Sequence, residues 1–242
     1  MMSDIDYQSG IQRTEKKYLG DDEYWNHSQA VLRDLLVEKG VEFTEEDGEA
    51  AFYGPKIDIQ ADNVYGKEDT MVTIQLDNAI AEKMDMYYID ENGDKQRPYI
   101  IHRTSMGCYE RTLAWLIEHY AGKFPTWLCP EQVRVLPISD KYEDYANDVA
   151  AKLKKAGVDV TVDNRSEKIG YKIREARLNR LPYMLVVGEQ EQTDGTVSVR
   201  SRFAGDEGVK PLVEFISQIT KEIESKEIRE EIPEEERNQG QK

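Results

Sequence analysis

The chain has 242 residues, 39% of them hydrophobic and 33% charged, with a formal net charge of −16. That composition belongs to a folded protein of one large or two medium domains and excludes a disordered chain. No apolar run approaches the roughly 20 residues needed to span a bilayer, and the polar stretch 1–10 lacks the apolar centre of a secretory signal. Two cysteines far apart in sequence, Cys108 and Cys129, make no disulfide framework, so a reducing cytoplasm is the expected setting.

Asp21, Asp22 and Glu23 open a helical pattern that runs to Lys39 and stops at Gly40, with acids at the positive end of the helix dipole. Trp25, Ala30, Leu32, Leu35 and Leu36 supply its expected buried side. Residues 41–43 read as a short strand. Longer strands are predicted at 56–61, where Ile57 and Ile59 alternate with polar residues, and at 70–76, a β-branched alternating run. Residues 86–89 and 97–103 are expected to pair across the turn Glu91-Asn92-Gly93-Asp94. A helix follows over 108–120 and ends at Gly122. Pro125 and Pro130 around Trp127 mark a structured linker and a domain boundary.

The rhythm then changes. Strands at 133–138, 158–162, 183–187 and 197–200 alternate with helices at 140–156, 166–180 and 210–228, and Thr193-Asp194-Gly195-Thr196 reads as a hairpin turn. The expected fold class is thus an α+β antiparallel-sheet domain over 1–130. An α/β domain, a mixed sheet flanked by helices, follows over 131–228, and a disordered acidic tail over 229–242.

Charge is distributed unevenly. Residues 21–49 carry ten acids against two bases, whereas residues 164–180 carry six bases (Arg165, Lys168, Lys172, Arg174, Arg177, Arg180) against two acids. A negative protein repels phosphate in bulk, so a local basic segment fits selective RNA contact. A solvated helix face that happens to be basic fits equally well.

Three clusters carry candidate chemistry. In RPYIIHRTSMGCYERTLAWLIEHY (97–120), Gly107 lets backbone pass close to a ligand, and Arg111 near a helix start offers a planar fork for a purine or phosphates. An ion pair of Arg111 with Glu110 or Glu118 is the plainer alternative. In FYGPKID (52–58), Tyr53 and Lys56 flank a Gly-Pro turn, and either line a polar site or merely pack a turn. In TIQLD (73–77), alternation puts Thr73, Gln75 and Asp77 on one face, as a ligand floor or as the solvent side of an edge strand. His102, His27 and His119 form no zinc spacing with one another or with the cysteines.

Taken together, residues 52–58, 73–77, 102–111 and 124–130, the segment NRSEKIGYKIRE (164–175) and LPYMLVVG (181–188) resemble the threonyl-tRNA synthetase family in order and spacing. The similarity covers roughly 7–228. A motif 3 glycine and arginine alone indicate only a class II synthetase. His102-Arg103 ahead of them and Phe124-Pro125-Thr126-Trp127-Leu128 behind point to the threonine enzyme rather than to a prolyl or histidyl type.

The resemblance implies a class II catalytic-domain portion over 1–130 and an anticodon-binding domain over 131–228. It implies that Arg111 stacks on adenine and contacts ATP, with Cys108 beside it; that Tyr53, Lys56 and Gln75 contact threonine and adenylate; and that Thr73 contacts the ATP side. His102 corresponds to one of three protein ligands of a zinc ion that binds the amino and hydroxyl groups of threonine. A site that ligates a hydroxyl refuses valine, which lacks one. Ser166, Glu167, Lys168, Arg174, Glu191 and Arg200 fall where anticodon contacts occur, hydrogen-bonding splayed bases. Implied partners are threonine tRNA, ATP and threonine, with a homodimer in the intact family, Zn2+ and Mg2+ as cofactors alongside ATP, and no membrane. Motifs 1 and 2 and two zinc ligands have no counterpart in the sequence. The chain is therefore expected to hold no stoichiometric zinc and to be inactive alone; a synthetase-like tRNA-binding or accessory protein is the alternative. Thr70, Asn78 and Cys108 depart from the usual family residues.

Overall fold

The computed structural model describes residues 5–11, 18–77 and 79–233. The backbone forms two compact units, Met1–His119 and Tyr120–Lys242. No helix among the described residues is long and apolar enough to cross a membrane.

The first unit is built on a five-stranded sheet of order β2-β1-β3-β4-β7. Its strands are β1 (Ile5–Ile11), β2 (Phe43–Asp47), β3 (Lys56–Asp62), β4 (Glu68–Asp77) and β7 (Ile100–Arg103), antiparallel except for the β1–β2 pair. Helix α1 (Asp22–Glu38) begins at the Asp21 cap, whose carboxylate accepts from the Tyr24 amide at 2.8 Å. Its buried stripe is Tyr24, Trp25, Ser28, Leu32 and Leu36, a spacing of four that holds one face. Leu32 and Leu36 pack on Ile57, with Ile74 and Leu76 of β4 behind. Ala30 and Leu35, expected in that core, are exposed, because a four-residue period rotates them off the stripe.

Three further expectations change. The strand expected at 41–43 begins at Phe43 and continues to Asp47. The predicted pairing of 86–89 with 97–103 shrinks to a small ribbon of β5 (Tyr88–Ile89) and β6 (Lys95–Gln96). Pro98 has no N–H to continue that ladder, and β7 beyond it pairs with β4 instead. β1, absent from the predicted elements although Ile5, Tyr7 and Ile11 alternate with Asp6, Gln8 and Gly10, is established by its pairing with β2 and β3. Short helix α2 (Ala79–Lys83) follows β4, and α3 (Tyr109–His119) closes the unit.

The second unit carries a mixed sheet of order β12-β11-β10-β8-β9, as the α/β pattern predicts. Its strands are β8 (Val133–Pro137), β9 (Val160–Val162), β10 (Tyr183–Val187), β11 (Thr196–Ser201) and β12 (Gly205–Pro211). The β9, β8 and β10 strands are parallel, while β11 and β12 are antiparallel. Helices α4 (Glu143–Lys155) and α7 (Leu212–Ser225) bury Val149, Leu153, Phe215 and Ile219 against one face. Helix α5 (Ile169–Leu178) buries Ala176 against Leu136 and Met184 on the other. The hairpin turn expected at 193–196 is instead the end of helix α6 (Glu189–Asp194), capped by Gly195 at φ +67. An Asp-Gly pair suits a left-handed helix stop as well as a hairpin. β12 is too rich in glycine and charge to show a strand period.

The linker belongs to this unit: Thr126 is fully buried and its hydroxyl donates to Glu222 of α7. Residues 229–233 of the expected disordered tail are held in place. Arg229 meets Tyr183, Glu231 pairs with Lys123 at 2.7 Å, and the Ile232 amide donates to Phe203 at 2.8 Å. Residues 234–242 of that tail, and Asn78, lie outside the described residues.

Candidate functional site

The β3–β4–β7 ladder assembles a polar floor. Register places Lys56 opposite Gln75, Asp58 opposite Thr73, and Gln75 opposite His102. Residues directly opposite in antiparallel strands share a face, so Lys56, Gln75 and His102 form one row and Asp58 with Thr73 the next. Tyr53 is brought over the row by the Gly54 turn. A Cβ on Gly54 would lie 1.8 Å from the Leu76 carbonyl oxygen, so only glycine lets this turn press against β4. The Tyr53 hydroxyl donates to Gln75 Oε1 at 2.6 Å.

Two buried carboxylates organise this floor. Asp58 pairs with the Lys56 ammonium and accepts from the Thr73 hydroxyl at 2.7 Å. Asp77, whose side chain is 0% exposed, meets His102 Nε2 at 2.8 Å through Oδ2 and accepts from the Ile80 amide at 3.0 Å through Oδ1. The Tyr53 and His102 rings make a T-shaped contact with their centroids 5.7 Å apart. Asp58 is not among the site residues expected from sequence, and Asp77 is expected only as a member of the Thr73–Gln75–Asp77 face, without a role of its own. Alternation places both on the floor face; Asp58 meets Lys56 of its own strand and Thr73 of β4, whereas the partners of Asp77 lie on β7 and across a turn.

Arg111, Gly107 and Cys108 lie apart from that network. Gly107 has φ +64, and a Cβ there would stand 1.9 Å from the Met71 carbonyl oxygen, which requires glycine on both grounds. Arg111 Nη1 donates to the Thr70 carbonyl at 3.0 Å. Thr70 precedes Thr73 by three residues, about 10 Å along a strand. Glu110 takes the Cys108 thiol, a hydrogen bond that holds its carboxyl below the usual range, rather than pairing with Arg111. Among the described residues no group of three or more His, Cys, Asp or Glu could hold a metal ion. His102 is therefore a single candidate donor, and one histidine does not by itself make a zinc site.

In the second unit, Ser166, Glu167, Lys168 and Arg174 are exposed at the start of α5 and along it. Arg200 pairs with Asp206 at 2.7 Å, and Glu191 Oε2 accepts from the Gly188 amide at 2.9 Å, capping α6. Arg200 is opposite Met184 in register, and Met184 packs under α5, so Arg200 and α5 share a sheet face. The expected basic segment is partly consumed by folding. Arg165 is bound by Asp163 and Glu175, and the buried Lys172 ammonium donates to the carbonyls of Asp163 at 2.9 Å and Pro137 at 3.3 Å.

Glu131, Arg134, Thr161, Asp163, Arg165 and Glu175 line a cleft of about 410 Å3 beside it. The Arg165 hydrogen bonds hold the Asp163 carboxyl below its ordinary value. Burial pushes Glu131 up, but the Arg134 and Thr161 hydrogen bonds outweigh it, so its carboxyl is lowered too. A carboxyl lowered in the folded state stabilises above its unfolded value, about pH 4, and that stability is lost as pH falls through the folded value. Urea midpoints of the second unit are therefore expected to be flat from pH 7 to about 5 and to fall below about pH 4; a midpoint that rises on acidification contradicts this.

Residues 9–120 match the tRNA synthetase class II core domain (G, H, P, S and T), and residues 132–222 match the anticodon binding domain. A threonine--tRNA ligase of Clostridium perfringens is 59% identical over 212 residues, 88% of this chain and 33% of that protein. One of Clostridioides difficile is 49% identical over 92% of this chain and 35% of that protein. A crystal structure of the RNA binding domain of threonyl-tRNA synthetase from Cryptosporidium parvum Iowa II is similar at a TM-score of 0.79 and 35% identity, covering 90% of this chain and 55% of that one. The chain spans about a third of the length of the curated relatives it matches. With a class II core portion leading into an anticodon binding domain, and this level of identity across both, the chain belongs to the threonyl-tRNA synthetase family.

Proposed function

We propose that this chain supplies the motif 3 side of a threonine- and ATP-binding site, together with anticodon recognition, to an enzyme that activates threonine with ATP and transfers it to threonine tRNA. The single observation that carries this reading is the row Lys56–Gln75–His102 beneath Tyr53, braced by two buried carboxylates on a rigid sheet. Preorganised polar groups on rigid elements bind and orient a small polar substrate without reorganising. Tyr53, Lys56 and Gln75 contact threonine and the adenylate. Thr73, Cys108 and Arg111 serve the ATP side, where the Arg111 fork stacks on adenine or pairs with phosphate. Zn2+ and Mg2+ belong to the intact enzyme, as do its homodimer and its cytoplasmic setting.

The chain by itself is proposed not to activate threonine, since it spans about a third of its relatives' length. Threonine-dependent pyrophosphate exchange is expected at background; measurable exchange by this chain overturns that part of the reading.

Exposed Ser166, Glu167, Lys168 and Arg174, with Glu191 and Arg200, read anticodon bases by side-chain hydrogen bonds. A hydrogen bond to a charged group contributes about 1.5–3 kcal/mol, so Arg200→Ala is expected to weaken threonine tRNA binding roughly tenfold or more in a filter assay. Asp206→Asn removes only the ion-pair partner of Arg200 and is expected to leave affinity intact. Unaltered affinity in Arg200→Ala removes Arg200 from the anticodon site.

A further inference from the structure

Asp77 stands out among the buried acids because both its oxygens are committed and one of them addresses a half-exposed histidine. Oδ1 accepts from the Ile80 amide at 3.0 Å and Oδ2 lies 2.8 Å from His102 Nε2. A carboxylate only accepts, so the imidazole nitrogen facing it is the one that carries hydrogen. A neutral imidazole has one N–H and one lone pair, and the partner of one nitrogen decides the role of the other. The His102 side chain is 41% exposed while Asp77 is fully enclosed, so the pair has an anchored end and an open end. Strand pairing fixes the anchored end: Asp77 and His102 lie on adjacent strands, with Asp77 opposite Ile100 and His102 opposite Gln75. The Tyr53 ring, itself tied to Gln75, packs its edge on the imidazole and limits its rotation.

We propose that Asp77 is a positioning residue that holds His102 as the Nε2–H tautomer, so that the ring offers the Nδ1 lone pair to the amino-acid subsite. Nδ1 makes no hydrogen bond among the described residues. The ligand chemistry it takes is a hydrogen-bond donor or an electron-pair acceptor, not an anion. This role rests on the reading of the floor as an amino-acid site, whereas the tautomer itself is a property of the chain without ligand.

Nitrogen NMR of imidazole-labelled chain, above the imidazole titration range, reads the tautomer directly. His102 is expected to show a protonated Nε2 and an unprotonated Nδ1. In Asp77→Asn, the amide oxygen keeps the Ile80 cap and the amide NH2 faces the ring, which turns Nε2 into an acceptor and moves the proton to Nδ1. A merely structural Asp77 would change the melting temperature without changing which nitrogen carries hydrogen. Asp77→Ala, which offers neither group, is expected to give a mixture of tautomers. A wild-type chain with Nδ1 protonated, or an Asp77→Asn chain with the wild-type tautomer, overturns the proposal. Addition of threonine or of Zn2+ separates this from the underlying reading. A response at Nδ1 supports both. No response at either nitrogen, with the tautomer as stated, leaves Asp77 its role and removes His102 from the amino-acid site. A response at Nε2 in which the ring lets go of the Asp77 carboxylate overturns the proposal.

Discussion

Replacing Glu222 by leucine is expected to destabilise the second unit by about 3–5 kcal/mol, the range for breaking a buried polar pair from one side. Glu222 lies on the buried face of α7 and accepts from the hydroxyls of Thr126 and Tyr183, with the Arg229 guanidinium 3.7 Å away. Thr126 and Tyr183 are themselves fully buried. Burial, then the hydrogen bond to Glu222, pushes the Tyr183 phenol far above its ordinary value, so it is a neutral donor that needs an acceptor. Leucine leaves both hydroxyls and a cation without that acceptor, each at a desolvation cost of about 1–3 kcal/mol. The urea midpoint of the second unit should fall by about 1–5 M, given a slope of about 1–3 kcal/mol/M. Glu222→Gln retains one acceptor oxygen and should lose less than half as much. A midpoint unchanged in Glu222→Leu would mean that the linker and α7 are held by apolar packing alone.

Gly54→Ala is expected to cost the first unit about 3 kcal/mol, the upper end for forcing atoms into a packed site. The added Cβ would meet the Leu76 carbonyl at 1.8 Å, and that atom is backbone in the central strand of the floor. It cannot rotate away as a side chain would, so β4 or the 51–55 turn must move. Either shift parts the Tyr53 hydroxyl from Gln75. Gly66→Ala separates this clash from backbone strain, because Gly66 has φ +68 and nothing within 4 Å of its Cβ. It should cost only about 1–2 kcal/mol. Thermal melts compare the two, and equal losses would show that the close approach at Gly54 is relieved elsewhere.

Local signals carried most elements. Helix α1 is announced by its Asp21 cap and its stop at Gly40, and the β8–α4–β9–α5–β10 alternation by hydrophobic period alone. Both depend on residues within a turn or two of each other. Failures occur where the period is silent or ambiguous. β1 offers only Ile5, Tyr7 and Ile11 in alternation with polar residues, β12 is rich in glycine and charge, Pro98 redirects β7 from a hairpin to the main sheet, and Asp194-Gly195 ends a helix where a hairpin was expected.

The same division holds at the site. Sequence by itself determined the family resemblance, the candidates Tyr53, Lys56, Thr73, Gln75 and His102, and the alternation that faces Thr73, Gln75 and Asp77 one way. Only the tertiary structure decided their partners. Lys56 is neutralised by Asp58, His102 is held by Asp77, and Arg165 and Lys172 leave the basic segment to bind Asp163. A side chain's type and its face are local properties of the chain. Its hydrogen-bond partner is chosen by conformation, strand register and burial, which select among near neighbours for Lys56–Asp58 and Arg165–Asp163 and bring together groups distant in sequence for His102–Asp77.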